Sequence, residues 1–444
     1  MLLRFSVTNL FCFADEAELN LVATKDKNHP EHLCPADKFN ALRIAALYGA
    51  NAHGKSRLVQ AMQCAKTIIT KGTTEPGQAI PVTPFRLDVD LRQKPTRFEF
   101  VFSTKETIYT YGFQCDEKQI FEEWLFSKPA NRHEVKLFER RVDGQGNSEF
   151  NIGRTLQRGN TKGRSFLKFL TQSVRGNQLF LTRAINDNLD YLSPVHDWFN
   201  HSLNIWEAGA PILPVALLAL ENERFRNFVG ESMKSFDTGI NGIHTEERSG
   251  KPSQKLDFLL HTFEFGKDVD QEEIILEDSS DHGGLLHYFS KDKIRSIRMQ
   301  TLHEVPGDDP VFFKLSDESA GTRRLIQLLP LLFAEEAMEN VYVIDELDRT
   351  LHPSLSRAFI EHFLKIIGCD RNQLIFTTHE SNLLDLDLLR RDEIWFVEKD
   401  AKGRSQLYPL TSFKARPDIN IARGYLQGRF GAIPFIGDPS ALGW

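Results

Sequence analysis

A chain of 444 residues has room for two or three structural units at about 150 residues each, which excludes a disulfide-stapled miniprotein. Apolar residues make up 41% and charged residues 26%, the balance of a chain that buries a core rather than staying disordered. The net charge of −7 excludes a general polyanion binder, so any contact with nucleic acid needs a local basic patch. The five cysteines, Cys12, Cys34, Cys64, Cys115 and Cys369, are scattered, odd in number and form no CxxC pair. That pattern argues against both a disulfide framework and a zinc site, and predicts a reducing cytoplasmic compartment. No apolar run approaches the roughly 20 residues that span a bilayer. The N-terminal apolar stretch is broken by Arg4 and Asn9, so neither a signal peptide nor a membrane helix is expected.

In chain order, the opening LLRFSVTNL alternates apolar and polar residues with the period of a half-buried strand, and FADEAELNLVA reads as its hairpin partner. ALRIAALYGANAHGKSRLVQAMQCAKTII is a short apolar strand, a glycine-bearing turn and a helix with Leu58, Met62, Ala65 and Ile69 on one face. From Pro84 to about Phe126, aromatic-rich alternating segments predict an antiparallel meander. Between Phe150 and Asn186 stand seven cations and no acid: Arg154, Arg158, Lys162, Arg164, Lys168, Arg175 and Arg183. An opposite block of acids lies between Asp268 and Asp281. The helical spacing of APILPVALLALENERFRNFVGESMKSF predicts a mainly helical insertion over 150–305, dividing an N-terminal lobe, 1–149, from a C-terminal lobe, 306–444. In that last lobe helices alternate with the strands NVYVIDE, QLIFTTHE and EIWFVEKD, the sign of a parallel sheet.

Gly49-Ala50-Asn51-Ala52-His53-Gly54-Lys55-Ser56 fits G-x-x-x-x-G-K-[ST] between a predicted strand and a predicted helix. Backbone N–H groups of such a loop, with the helix N-terminus, cradle phosphates; Lys55 neutralises their charge and the Ser56 hydroxyl ligates Mg²⁺. The strand VYVI runs into Asp345-Glu346, and adjacent strand residues point opposite ways. Asp345 is thereby placed to hold magnesium and Glu346 to take a proton from the water that attacks the γ-phosphate of ATP.

Ser319 and Gly321 form an S-x-G pair at the start of the helix after SDESAGTRR. Phosphate loop, S-x-G before a helix, hydrophobic-Asp-Glu, Asp348 shortly after and His379 closing QLIFTTHE: this order resembles the ATP-binding cassette ATPases. The large insertion and ESAGTRR are similar to the heads of structural-maintenance-of-chromosomes and recombination ATPases. RRDEIWFVEKD and YLQGRFGAIPFI resemble the stand-alone bacterial ATPases of restriction, abortive-infection and anti-phage systems, of the Septu, PARIS and overcoming-lysogenization-defect types. The resemblance covers roughly 1–130 and 310–436. It implies an α/β fold, an ABC-type P-loop head with a mixed or parallel core sheet and an antiparallel β-subdomain, binding ATP and Mg²⁺.

The resemblance further implies that two heads sandwich two nucleotides, Ser319 and Gly321 of one contacting the γ-phosphate held by the other. For Ser319 the residues alone read equally as a helix N-cap. His379 would be the switch histidine at the γ-phosphate, and Asp348 would face the partner head. The glutamine of the family pattern is unassigned, because neither Gln63 nor Gln78 falls clearly after a strand. His53, His352 and the pair Glu335-Glu336 lack second partners at defined spacing and read as structural. Asp385-Leu386-Asp387 looks like a metal-binding DxD, but too few residues follow it for a separate nuclease domain, and it is expected to begin a helix of the core. The function implied is an ATP-dependent switch that controls a separate nuclease or toxin effector in bacterial anti-phage defence. The alternatives are a non-hydrolysing scaffold and a DNA-repair head with a nuclease partner; against the latter, the insertion lacks the heptads of coiled-coil arms. The basic run Arg154–Arg183 could serve nucleic acid, an acidic effector or the chain's own acidic block.

Overall fold

The computed structural model describes residues 1–143, 147–157, 161–210, 215–250, 274–277, 285–290, 293–333, 339–366, 371–413 and 420–433. The chain divides into two compact units, one of Met1–Ala208, Glu336–Leu347 and Ile367–Trp444, the other of Gly209–Glu335 and Asp348–Ile366.

The first unit holds two sheets. Strands β1 (Leu2–Thr8) and β2 (Ala17–Asn20) pair antiparallel, as the alternation predicts. They continue into a meander of β6 (Thr96–Thr104), β7 (Thr107–Cys115), β8 (Ile120–Pro129), β9 (Val135–Val142) and β10 (Ser148–Ile152). The seven-stranded order is β10-β9-β8-β7-β6-β1-β2. Along β6 the even residues Phe98, Phe100 and Phe102 are fully buried while Arg97, Glu99 and Val101 between them are half-exposed, the two-residue period of a sheet with one apolar face. A small hairpin, β3 (Leu33–Ala36) with β4 (Phe39–Leu42), precedes β5 (Ile44–Tyr48).

The second sheet runs β11-β17-β18-β5-β19-β20, with β11 (Leu203–Trp206), β17 (Val341–Ile344), β18 (Gln373–Thr377), β19 (Ile394–Lys399) and β20 (Ser405–Pro409). The first five are parallel and β20 is antiparallel to β19. Every residue of β5 and β18 is buried, as central parallel strands covered on both faces require. The core of the unit joins Phe5, Phe98 and Phe100 of the seven-stranded sheet to Leu58, Met62 and Ile69 of the helix Lys55–Thr70 and to Trp198 and Phe199. Trp198 stacks on Phe102 with ring centroids 4.0 Å apart.

The insertion expected over 150–305 is helical over much of its described length but also holds strands, and the second unit takes up only part of it. Its helices Val215–Glu221 and Glu223–Ser235 accompany a five-stranded antiparallel sheet of β12 (Gly242–Gly250), β13 (Ile274–Glu277), β14 (Leu285–Ser290), β15 (Lys293–His303) and β16 (Val311–Lys314). Ile297, Met299 and Thr301 are buried and Ser296, Arg298 and Gln300 are not, a strand alternation that the helical spacing upstream conceals. Residues up to Ala208 belong with the first unit instead: β10 extends the meander and β11 enters the core sheet beside β17. Asp385-Leu386-Asp387 lies in a turn rather than at a helix start. The acidic block Asp268–Asp281 and Cys369 fall outside the described residues, apart from the backbone of β13. Among the described residues no helix is long and apolar enough to cross a membrane.

One buried amide links the two sheets of the first unit. Gln373 accepts from the Leu2 N–H at 2.9 Å and donates to the carbonyls of Leu2 at 3.0 Å and Leu42 at 2.7 Å. Gln373→Leu strips these groups of their partner in a fully buried site and is expected to cost about 2–4 kcal/mol, read as a lowered denaturation midpoint. An unchanged midpoint contradicts the role assigned to this amide.

Candidate functional site

Parallel pairing brings together the C-terminal ends of three strands. In register, Leu47 stands beside Thr377 and Ile344 beside Phe376, so the loop after β5, the carboxylates after β17 and the segment after β18 leave the sheet at one edge, where ligands gather in parallel sheets. A cavity of about 870 Å³ opens there, lined by Ala50, Asn51, Gly54, Lys55, Ser56, Glu346 and His379 among others, within the usual range for small-molecule sites.

The loop has the backbone that its glycines imply. Gly54 has φ 117° and Ala52 φ 63°, and a Cβ on Gly49 would lie 2.4 Å from the Val397 carbonyl oxygen of β19. Ser405 fixes the loop from behind, its hydroxyl donating to the His53 carbonyl at 2.6 Å while its N–H donates to the Cys12 carbonyl at 2.8 Å. Lys55 is buried, its amine donating to the carbonyls of Gly49 at 2.7 Å and Ala50 at 3.3 Å. Burial depresses the His53 imidazole below its ordinary value, against the Val397 backbone and Glu398, which raise it.

At the end of β17, Asp345 is 3% exposed and its N–H donates to the Trp206 carbonyl at 2.9 Å. The Thr377 hydroxyl donates to Asp345 Oδ1 and accepts from the Glu346 N–H at 2.8 Å. One side chain of β18 therefore holds both members of the pair. Glu346 has φ 51°, an uncommon left-handed backbone for a non-glycine residue, and it lines the cavity. His379 is exposed on the cavity wall, so it is not a core histidine.

Several lining residues carry no motif in the sequence. Arg57, Arg86 and Lys399 join Lys55, giving four cations against the one carboxylate of Glu346, a local positive field in an acidic chain. The Arg57 guanidinium stands 5.1 Å over the Phe11 ring, and Phe11, Pro84, Phe85 and Leu87 add apolar surface. Burial pushes the Cys12 thiol, also in the wall, up from its usual value. Neither Gln63 nor Gln78 lines the cavity: they bond locally, to Thr67 and to Thr74.

In the second unit Ser319 caps the helix Ala320–Leu328, its hydroxyl accepting from the Thr322 N–H at 3.1 Å. A Cβ on Gly321 would approach the Thr350 carbonyl to 2.8 Å, so this turn has no room for a side chain. Asp348 begins a loop in which the Leu351 N–H donates to its carbonyl at 3.0 Å. His352 Nδ1 accepts from the Ser354 N–H at 3.2 Å, a capping bond. Glu335 and Glu336 lie outside the described residues.

The basic run does not make a single face. Arg175 donates to the carbonyls of Thr73 at 2.7 Å and Thr74 at 3.0 Å, and Arg183 pairs with Asp187 at 2.6 Å. Arg154, Arg164 and Lys168 are exposed, the last two on the helix Thr161–Ser173 with Phe166 and Phe169. Arg158, Gly159, Asn160 and the Lys162 side chain lie outside the described residues.

Residues 44–385 match the family model described as "AAA domain, putative AbiEii toxin, Type IV TA system". Among solved structures the chain is similar to the Smc head bound to the C-winged helix domain of ScpA, at 11% identity and TM-score 0.38, covering 92% of this chain and 97% of that one. It is also similar to the recombination mediator protein RecF with ATP, at 13% identity and TM-score 0.27, covering 92% and 97%. At these scores the likenesses add nothing to what the strand order shows. No curated protein matches.

Thr377→Val keeps the shape of the side chain and removes the hydroxyl from Asp345 and the Glu346 N–H. A loss of about 1–3 kcal/mol is expected for these buried groups, with most of it restored in Thr377→Ser. Equal thermal midpoints for the Val and Ser variants contradict the bridging role.

Proposed function

The chain belongs to the AAA-domain family that carries the AbiEii description, and from the lining of its cavity we propose that it binds ATP there, hydrolyses it and acts as a nucleotide-dependent switch. The observation that carries this reading is the convergence of Lys55, Glu346 and His379 from three separate strand ends on one cavity with a surplus of positive charge.

In this reading the N–H groups of 50–56 and the Lys55 amine hold the β- and γ-phosphates. Lys55 exchanges its bonds to the carbonyls of Gly49 and Ala50 for bonds to phosphate oxygens. Ser56 and Asp345 offer oxygen donors of the kind Mg²⁺ takes, and a buried carboxylate such as Asp345 is costly without a cation; bound there, the ion would neutralise charge on the phosphate oxygens. Glu346 accepts the proton of the attacking water as the water–phosphorus bond forms and the bond to the β-phosphate oxygen breaks. His379 donates to the γ-phosphate. Ser319 and Gly321 complete the nucleotide site of a second copy, so that ATP pairs two heads and hydrolysis parts them.

The family description names a putative AbiEii toxin and a type IV toxin–antitoxin system, which supports an abortive-infection role; in our reading the switch acts in the cytoplasm and governs a separate nuclease or toxin. Exposed Arg154, Arg164 and Lys168 are what the basic run leaves for an acidic effector or a nucleic-acid backbone.

Lys55→Ala is expected to abolish ATP binding. Glu346→Gln is expected to bind ATP normally and to hydrolyse it about 10²–10⁴-fold more slowly, the usual contribution of a general base; turnover at the native rate in that variant rules out the assigned base. Ser319→Arg is expected to retain ATP binding while losing the ATP-dependent rise in mass by light scattering. The same rise in the variant contradicts the sandwich.

A further inference from the structure

Away from the nucleotide cavity, the segment before β3 meets residues 386–393 of the same unit. Thr24 donates to Asp392 through its N–H at 2.8 Å and its hydroxyl at 2.7 Å, and Arg390 donates to the Asn28 carbonyl and, at 3.1 Å, to that of Asp26. Between these ties His29, Glu31 and His32 offer ligand atoms that all lie within 4.8 Å of one another.

Their outer partners fix which nitrogens carry protons. His29 Nε2 lies 2.8 Å from the Leu386 carbonyl, which can only accept, so Nε2 is the donor and a neutral ring leaves a lone pair on Nδ1. That lone pair faces Glu31 Oε1 at 3.2 Å. His32, 3% exposed, sets its Nδ1 at 3.0 and 3.1 Å from the two oxygens of the fully buried Glu393, which also accepts the Arg390 N–H at 2.7 Å. Nδ1 is then the donor of His32, and its Nε2 lies 3.8 Å from the same Glu31 Oε1. Glu31 Oε1 thus stands between two imidazole nitrogens, a grouping that a proton on His29 or a metal ion between the three holds together.

We propose that His29 Nδ1, Glu31 Oε1 and His32 Nε2 form a binding site for a divalent metal ion of the zinc class. Two imidazoles and a carboxylate are a zinc-type donor set, and tetrahedral zinc with bonds of about 2.0–2.1 Å separates neighbouring ligand atoms by about 3.3 Å. The distances of 3.2 and 3.8 Å fall on either side of that value. A histidine ligand normally donates its other N–H to a carbonyl or carboxylate, which orients the ring and strengthens the metal-facing nitrogen; Leu386 and Glu393 stand in those positions. The ion clamps the segment 24–32 to the loop 386–393.

The test titrates the full chain, stripped with EDTA and free of nucleotide, with Zn²⁺ against a chromophoric chelator at pH 7.5, and repeats it with Co²⁺ to follow its visible absorption. One equivalent per chain is expected, with a rise in thermal midpoint as Zn²⁺ is added. His29→Gln and Glu31→Gln, at the less buried members, are each expected to weaken this binding by at least about 10-fold while the metal-free midpoint stays near that of the wild type. Absence of stoichiometric binding, or affinity unchanged in both variants, overturns the site and leaves His29 as an imidazolium paired with Glu31.

Discussion

Everything at the proposed nucleotide site depends on the parallel register of β17, β18, β5 and β19. These strands come from positions near 44, 341, 373 and 394, so their alignment is made by long-range pairing and not by any local turn. Because the strands run the same way, the loop Gly49–Ser56, the pair Asp345-Glu346 and His379 all leave the sheet at one edge. A slip of one residue in β17 would turn Asp345 away and present its neighbour instead, since side chains alternate along a strand. One polar side chain of β18 guards against such a slip: Thr377 bonds to Asp345 and Glu346. At the other end of β18 Gln373 ties the strand to Leu2 and Leu42.

The resting arrangement of the loop sets what a nucleotide must displace. The Lys55 amine already has carbonyl partners within the loop, so phosphate binding exchanges hydrogen bonds and gains chiefly from charge. That gain is supported by Arg57, Arg86 and Lys399 in the wall. The left-handed backbone of Glu346 is held by the bond from its own N–H to Thr377, which aims the carboxylate into the cavity while Asp345 stays nearly buried beneath it.

What the sequence revealed and what it hid follow from the range of the interactions. The strand, glycine loop and helix around Gly49–Ser56 are a local unit, and the phenylalanines of β6 declare their buried face by alternation alone, so both were legible. Ser319 was legible as a helix cap for the same local reason. The sheet of the second unit was not, because its strands follow a stretch with clear helical spacing that conceals the alternation of Ile297 and Met299 with Arg298 and Gln300. The four-residue β11 gains its identity only from pairing with β17. Arg86 and Phe11 reach the cavity through the folding of the first 90 residues around the loop, which no spacing in the sequence encodes. Cysteine counting argued against a zinc site, but the cluster at His29, Glu31 and His32 uses no thiol and depends on Glu393, some 360 residues away in sequence.

The decisive measurement is competition at equilibrium for a fluorescent ATP analogue on the full chain with Mg²⁺ present. A site built on the Gly49–Ser56 loop takes its binding energy from the β- and γ-phosphates. One saturable site per chain is therefore expected, from which ATP and ADP displace the analogue and AMP does so at least about 100-fold less well. The absence of saturable binding, or AMP competing as effectively as ATP, would contradict a nucleotide site at this loop.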